Sequence, residues 1–68
     1  MNVVLNGEPR ELTDDATVRA AVVATGAPPE GRGVAVALDG EVVPRGRWDE
    51  TPLTDGQRVE VVRAVQGG

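Results

Sequence analysis

The chain ends in Gln66-Gly67-Gly68, and the terminal carboxylate is the one group in the sequence with distinctive chemistry. Gly67 and Gly68 have no Cβ, so the backbone there can be extended or take positive φ and can pass a channel too narrow for a substituted residue. The Gly68 carboxylate is then an unhindered acyl group. Free carboxylates are poor acyl donors. Activation as a mixed anhydride with AMP would let a sulfur or nitrogen nucleophile attack it. On that reading the chain is a protein co-substrate acted on by other enzymes, and not itself an enzyme. Two terminal glycines are also what an ordinary frayed domain end looks like, so the rest of the chain has to decide.

Side chains offer few competing chemistries. Cys and His are both absent, which removes thiolate nucleophiles, disulfides, the commonest metal ligands and the side chain that titrates near neutral pH. The paired carboxylates Asp14-Asp15 and Asp49-Glu50 fall in helix-start or loop contexts, where capping and solubility account for them. Gly31-Arg32-Gly33 and Gly40 form no phosphate loop, because no glycine-rich turn carrying Lys-Ser or Lys-Thr opens a helix. Neither a bound cofactor nor a metal is expected; ATP would be consumed by a partner. Lacking Cys, the chain could carry sulfur only on the Gly68 carbonyl, as a thiocarboxylate. Lacking Lys, it cannot form Lys-linked chains of itself, while conjugation to other proteins stays open.

Seven arginines stand against eleven carboxylates, for a net charge of −4. That balance argues against nucleic acid or an anionic membrane as partner and favours a partner with a basic docking surface. With neither a charged-then-apolar leader nor an apolar run of membrane-spanning length in these residues, the expected compartment is the cytoplasm.

The elements that would position the tail follow from composition and punctuation. Thirteen Val, eight Ala and four Leu, with no Ile, Phe or Tyr, make a core of small units that favour strands. Met1 to Leu5 is a predicted strand, Asn6-Gly7 a two-residue hairpin turn, and Glu8 to Leu12 a return strand that Pro9 confines to a sheet edge. Asp14, Asp15 and Thr17 are candidate N-cap or first-turn residues for a helix over 18–25, in which Val18, Ala21, Val22 and Thr25 recur at helical spacing; Gly26 stops it. After a loop over 27–33, Val34 to Leu38 and Glu41 to Val43 form a second hairpin about Asp39-Gly40. The segment 45–51 reads as polar and irregular around Trp48, the lone aromatic residue, whose expected task is to close one end of the sheet. Thr54-Asp55-Gly56 turns into the last strand, 58–65. It is too Val-rich for an edge and so is expected centrally beside the first strand, with Val59 and Val61 facing the helix and Val62 and Ala64 on the open face. The expected fold class is α+β: a β-grasp ββαβββ arrangement of five strands in a mixed sheet with one helix across one face. Residues 1–64 form the domain and 65–68 a flexible tail of at most about 13 to 14 Å when extended.

Several segments together resemble a known family: Val36-Ala-Leu-Asp-Gly-Glu-Val-Val-Pro-Arg-Gly-Arg-Trp48, Leu53-Thr-Asp-Gly56, Val59-Glu-Val-Val62 and Gly67-Gly68. The chain looks like the sulfur carrier proteins of thiamin (thiazole) biosynthesis, ubiquitin-like β-grasp proteins, and the resemblance spans its whole length. Val-Val-Pro-Arg followed, after two intervening residues, by Trp is the specific element. Two departures stand out: Gln57 where an acidic residue commonly follows Asp-Gly, and Gln66 where a small residue usually precedes the glycines. The resemblance implies that an E1-like adenylyltransferase activates Gly68 with ATP. It implies further that sulfur from cysteine, delivered through a cysteine desulfurase, converts Gly68 to a thiocarboxylate, which thiazole synthase then draws on. Gly68 would be the modified residue, Gly67 would give clearance inside both partners, and Gln66 and Val65 would be partner contacts. The nearest rival is the small subunit of molybdopterin synthase, which shares fold and tail chemistry but lacks the Val43-Pro-Arg45 and Trp48 pattern. A rival of another class is a β-grasp protein modifier or interaction module docking through the open sheet face.

Overall fold

Alternating Val in short runs bounded by glycine turns folds into a five-stranded mixed sheet crossed by one helix. The computed structural model describes residues 1–64; the expected tail, 65–68, lies outside the described residues. The strands are β1 (Asn2–Leu5), β2 (Glu8–Glu11), β3 (Val34–Leu38), β4 (Glu41–Val43) and β5 (Arg58–Arg63), with helix α1 (Val18–Ala24) between β2 and β3. Their order across the sheet is β2-β1-β5-β3-β4. As expected, the last strand is central, parallel to β1 and antiparallel to β3. Pro9 lies on the edge strand β2 opposite Val4, where its missing N–H leaves no ladder bond unmade. Both hairpin turns use left-handed backbone, with φ of 50° and 84° at Asn6-Gly7 and 47° and 89° at Asp39-Gly40, as a type I′ turn requires.

The helix buries Val18, Ala21 and Val22 against the inner sheet face, which contributes Val3, Leu5, Val36, Val59 and Val61. Each such Val contributes roughly 1.5 to 3 kcal/mol by leaving water, and a helix of two turns needs that burial because it is marginal alone. Thr17 is the N-cap residue, but its side chain makes no capping hydrogen bond. Instead the Val18 amide donates to the Thr51 carbonyl at 3.0 Å, and Thr17 bridges to Pro52, so the chain returning after β4 caps the helix. Asp14 accepts from the Met1 ammonium at 2.9 Å, and that hydrogen bond raises the pKa of the ammonium. Gly26, at φ 82°, ends the helix as expected.

The segment expected to be irregular is ordered. Arg45–Glu50 is a 3-10 helix, begun by Pro44 with the Arg47 amide donating to the Pro44 carbonyl at 2.8 Å. It carries Trp48 into full burial, and the indole Nε1 donates to the Val43 carbonyl at 3.0 Å. The sequence hides this element because Gly46 and four charged residues give it no apolar period. Gly31 is the matching surface: its φ is 79°, and a Cβ there would meet the Trp48 ring and lie 2.8 Å from Arg45 Cδ.

Candidate functional site

The proposed reactive group, Gly68, and the expected partner contacts Gly67, Gln66 and Val65 all lie outside the described residues, so the site is described from its root. That root is the end of β5. Alternation places Val59 and Val61 in the core and leaves Glu60 and Val62 exposed, matching the facing expected for Val59, Val61, Val62 and Ala64. The register with β3 runs from Val59 opposite Leu38 to Arg63 opposite Val34. One residue later the Ala64 amide donates to the Gly33 carbonyl at 2.6 Å. The strand is therefore fastened along one side to its last described residue.

On its other side β1 turns away after Leu5, and a side chain continues the ladder. Asn6 Oδ1 accepts from the Val61 amide at 2.8 Å, and Asn6 Nδ2 donates to the Val61 carbonyl at 3.2 Å. A primary amide presents the same donor and acceptor pair as a peptide, so Asn6 stands in for the strand residue that the turn removes. Sequence reasoning read Asn6 only as a turn residue; the missed signal is that Asp, Gly or Asn all suit such a turn, and Asn alone can pair both ways with a neighbouring strand.

Around the root, Gly31, Gly33, Val34, Arg45, Val62 and Ala64 line a shallow groove. The open face beside it exposes Val42 and Val62, at 76% and 63%. Among the described residues, no cluster of three or more His, Cys, Asp or Glu is placed to hold a metal, and no helix is long and apolar enough to cross a membrane. Asp14-Asp15 and Asp49-Glu50 are not brought together: Asp14 holds the Met1 ammonium and Asp49 pairs with Arg19. Gln57 sits at the far end of β5, where Oε1 accepts from the Thr54 amide at 3.0 Å and Nε2 faces Asp39 Oδ2 at 3.4 Å. A carboxylate there could not donate to Asp39, so Gln57 serves a local turn remote from the root.

The comparisons with known proteins agree with this geometry. A model of the ThiS family matches residues 3–68. The crystal structure of a thiamine biosynthesis protein (ThiS) from Geobacter metallireducens superposes with a TM-score of 0.79 at 31% identity, covering 100% of both chains. An NMR structure of a thiamine biosynthesis protein from the same organism gives 0.80 at 31% identity, covering 100% of this chain and 88% of that one. Over all 68 residues the chain is 34% identical to part of a thiazole synthase from Paramagnetospirillum magneticum, of which it spans 20%.

Proposed function

The chain belongs to the ThiS family, and from that premise we propose that it is a sulfur carrier whose Gly68 carboxylate is adenylylated and then converted to a thiocarboxylate for thiazole formation. The observation that carries this reading is the family match extending through the glycine pair to residue 68, on a chain whose final strand is held centrally in the sheet. In the first step a carboxylate oxygen of Gly68 attacks the α-phosphorus of ATP on an adenylyltransferase and pyrophosphate leaves. In the second a sulfur nucleophile adds to the acyl carbon and AMP leaves. Hydrosulfide gives the Gly68 thiocarboxylate directly, whereas a persulfide gives an acyl disulfide whose S–S bond a thiol then cleaves, releasing the thiocarboxylate and a disulfide. The acceptor is a thiazole synthase, supported by the similarity to part of a protein of that description. Sulfur would originate from cysteine through a desulfurase.

The division of labour follows from the residues. The domain presents the acyl group and supplies no catalytic side chain; the partner must hold carboxylate and α-phosphate in near-attack geometry, where a displacement of about 1 Å can cost on the order of a hundredfold in rate. Gly67 is therefore the sensitive position. A Gly67→Val variant loses positive-φ conformations and widens the chain one residue from the reacting carbonyl. In ATP–pyrophosphate exchange with the cognate adenylyltransferase, the parent chain should support exchange, and Gly67→Val should abolish it while melting like the parent. Exchange at the parental rate by the variant would contradict the requirement for a narrow tail.

A further inference from the structure

The net charge of −4 conceals a polarised molecule. Arg32 lies between Gly31 and Gly33, both at positive φ, and the Gly33 carbonyl accepts the Ala64 amide at 2.6 Å, so Arg32 is adjacent to the root of the tail. Arg63 is opposite Val34 at the last rung of the β3–β5 ladder. Arg45 follows Pro44 onto the same end of the sheet and lines the groove shared with Val62 and Ala64. All three are exposed. The ion pairs among the described residues are Met1–Asp14, Arg19–Asp49 and Arg47–Glu50, and none of the three arginines takes part. Glu30 is the acidic residue in the same loop. The rest of the molecule carries four arginines against ten carboxylates, and Asp39, Glu41 and Asp55 lie toward the opposite end of β5, where Asp39 Oδ1 accepts the Arg58 amide at 3.2 Å.

We propose that Arg32, Arg45 and Arg63 form a cationic collar around the root of the tail that docks on an acidic rim at the mouth of the activating enzyme's channel. This rests on the sulfur-carrier reading above. Three cations without ion-pair partners among the described residues, at one end of a protein whose remaining carboxylates outnumber its arginines, bias its approach to a negative surface tail-first. Such rim charges act chiefly on association rate and its salt dependence. The sequence's overall charge pointed to a basic partner surface; the distribution assigns the tail end the opposite complement.

The test is ATP–pyrophosphate exchange by the adenylyltransferase as a function of carrier concentration, at low and at moderate salt, with circular dichroism melts of every variant. The parent's half-saturating concentration should rise with salt, since screening at about 0.15 M acts over roughly 8 Å. Arg32→Glu with Arg63→Glu should raise that concentration about tenfold at low salt, leave maximal exchange unchanged and flatten the salt dependence, as expected for the reversal of two exposed charges. Arg45→Glu should act in the same direction, and Glu41→Gln at the far end should match the parent. Unchanged or lowered half-saturation in the charge-reversed variants, a loss confined to maximal exchange, or a salt-independent parent would overturn the collar while leaving the carrier reading intact. A parent chain that supports no exchange would overturn both.

Discussion

Asn6 is held at φ 50° by its turn, while its side chain pairs with both polar groups of the Val61 backbone at 2.8 and 3.2 Å. The two roles separate in Asn6→Gly, which keeps the left-handed backbone at no steric cost and removes both hydrogen bonds. Net contributions of about 0.5 to 1.5 kcal/mol per bond add to roughly 1 to 3 kcal/mol. At about 4 to 8 °C per kcal/mol for a domain of this size, the melting temperature should fall by at least about 4 °C. A melt within a degree of the parent would show that water replaces the amide without loss. Trp48 illustrates the reverse case, a residue whose task was legible: a lone large aromatic in a chain of Val and Ala has one economical place, and the structure buries it completely. Its neighbour Gly31 was not legible, because a glycine whose missing Cβ makes room for a ring looks the same in sequence as a glycine in a loose loop.

At the scale of elements, strands and turns were readable because period-two Val and the Asn-Gly and Asp-Gly pairs each carry a local cause. The 3-10 helix Arg45–Glu50 was not, since its reason is the distant pocket that receives Trp48. The cap of α1 was also hidden: Thr17 occupies the cap position, but the donor is satisfied by Thr51, 33 residues further along the chain, through the Val18 amide at 3.0 Å. The facing of β5 was legible and has a direct test. Val61 is 7% exposed between α1 and the sheet, so Val61→Asp puts an unpaired carboxylate in the core, at a cost of several kcal/mol that a small domain does not withstand. Loss of the cooperative thermal transition is expected. Val62→Asp, on the open face at 63% exposure, should melt near the parent. A cooperative, parent-like melt for Val61→Asp would contradict the observed register.

At the scale of the whole molecule, the proposed function makes the domain a holder for an acyl group that partner enzymes transform. The sheet fastens β5 between two neighbours, the loop at Gly33 fastens its end, and the proposed chemistry falls on residues beyond it. The sequence points to the Gly68 carboxylate by elimination, since no Cys or His competes with it; the grouping of arginines near the end of β5 emerged only when the fold gathered residues separated by 13 and 18 positions in the chain. The measurement closest to the central claim is the intact mass of the protein after expression beside the adenylyltransferase and its sulfur source, with fragmentation to locate any change. Exchange of a carboxylate oxygen for sulfur should add about 16 Da, confined to Gly68 and absent from a variant lacking Gly67 and Gly68 that melts within a few degrees of the parent. An unmodified mass under those conditions, or covalent attachment of the chain to other proteins, would contradict a sulfur carrier and identify a different use for the same tail.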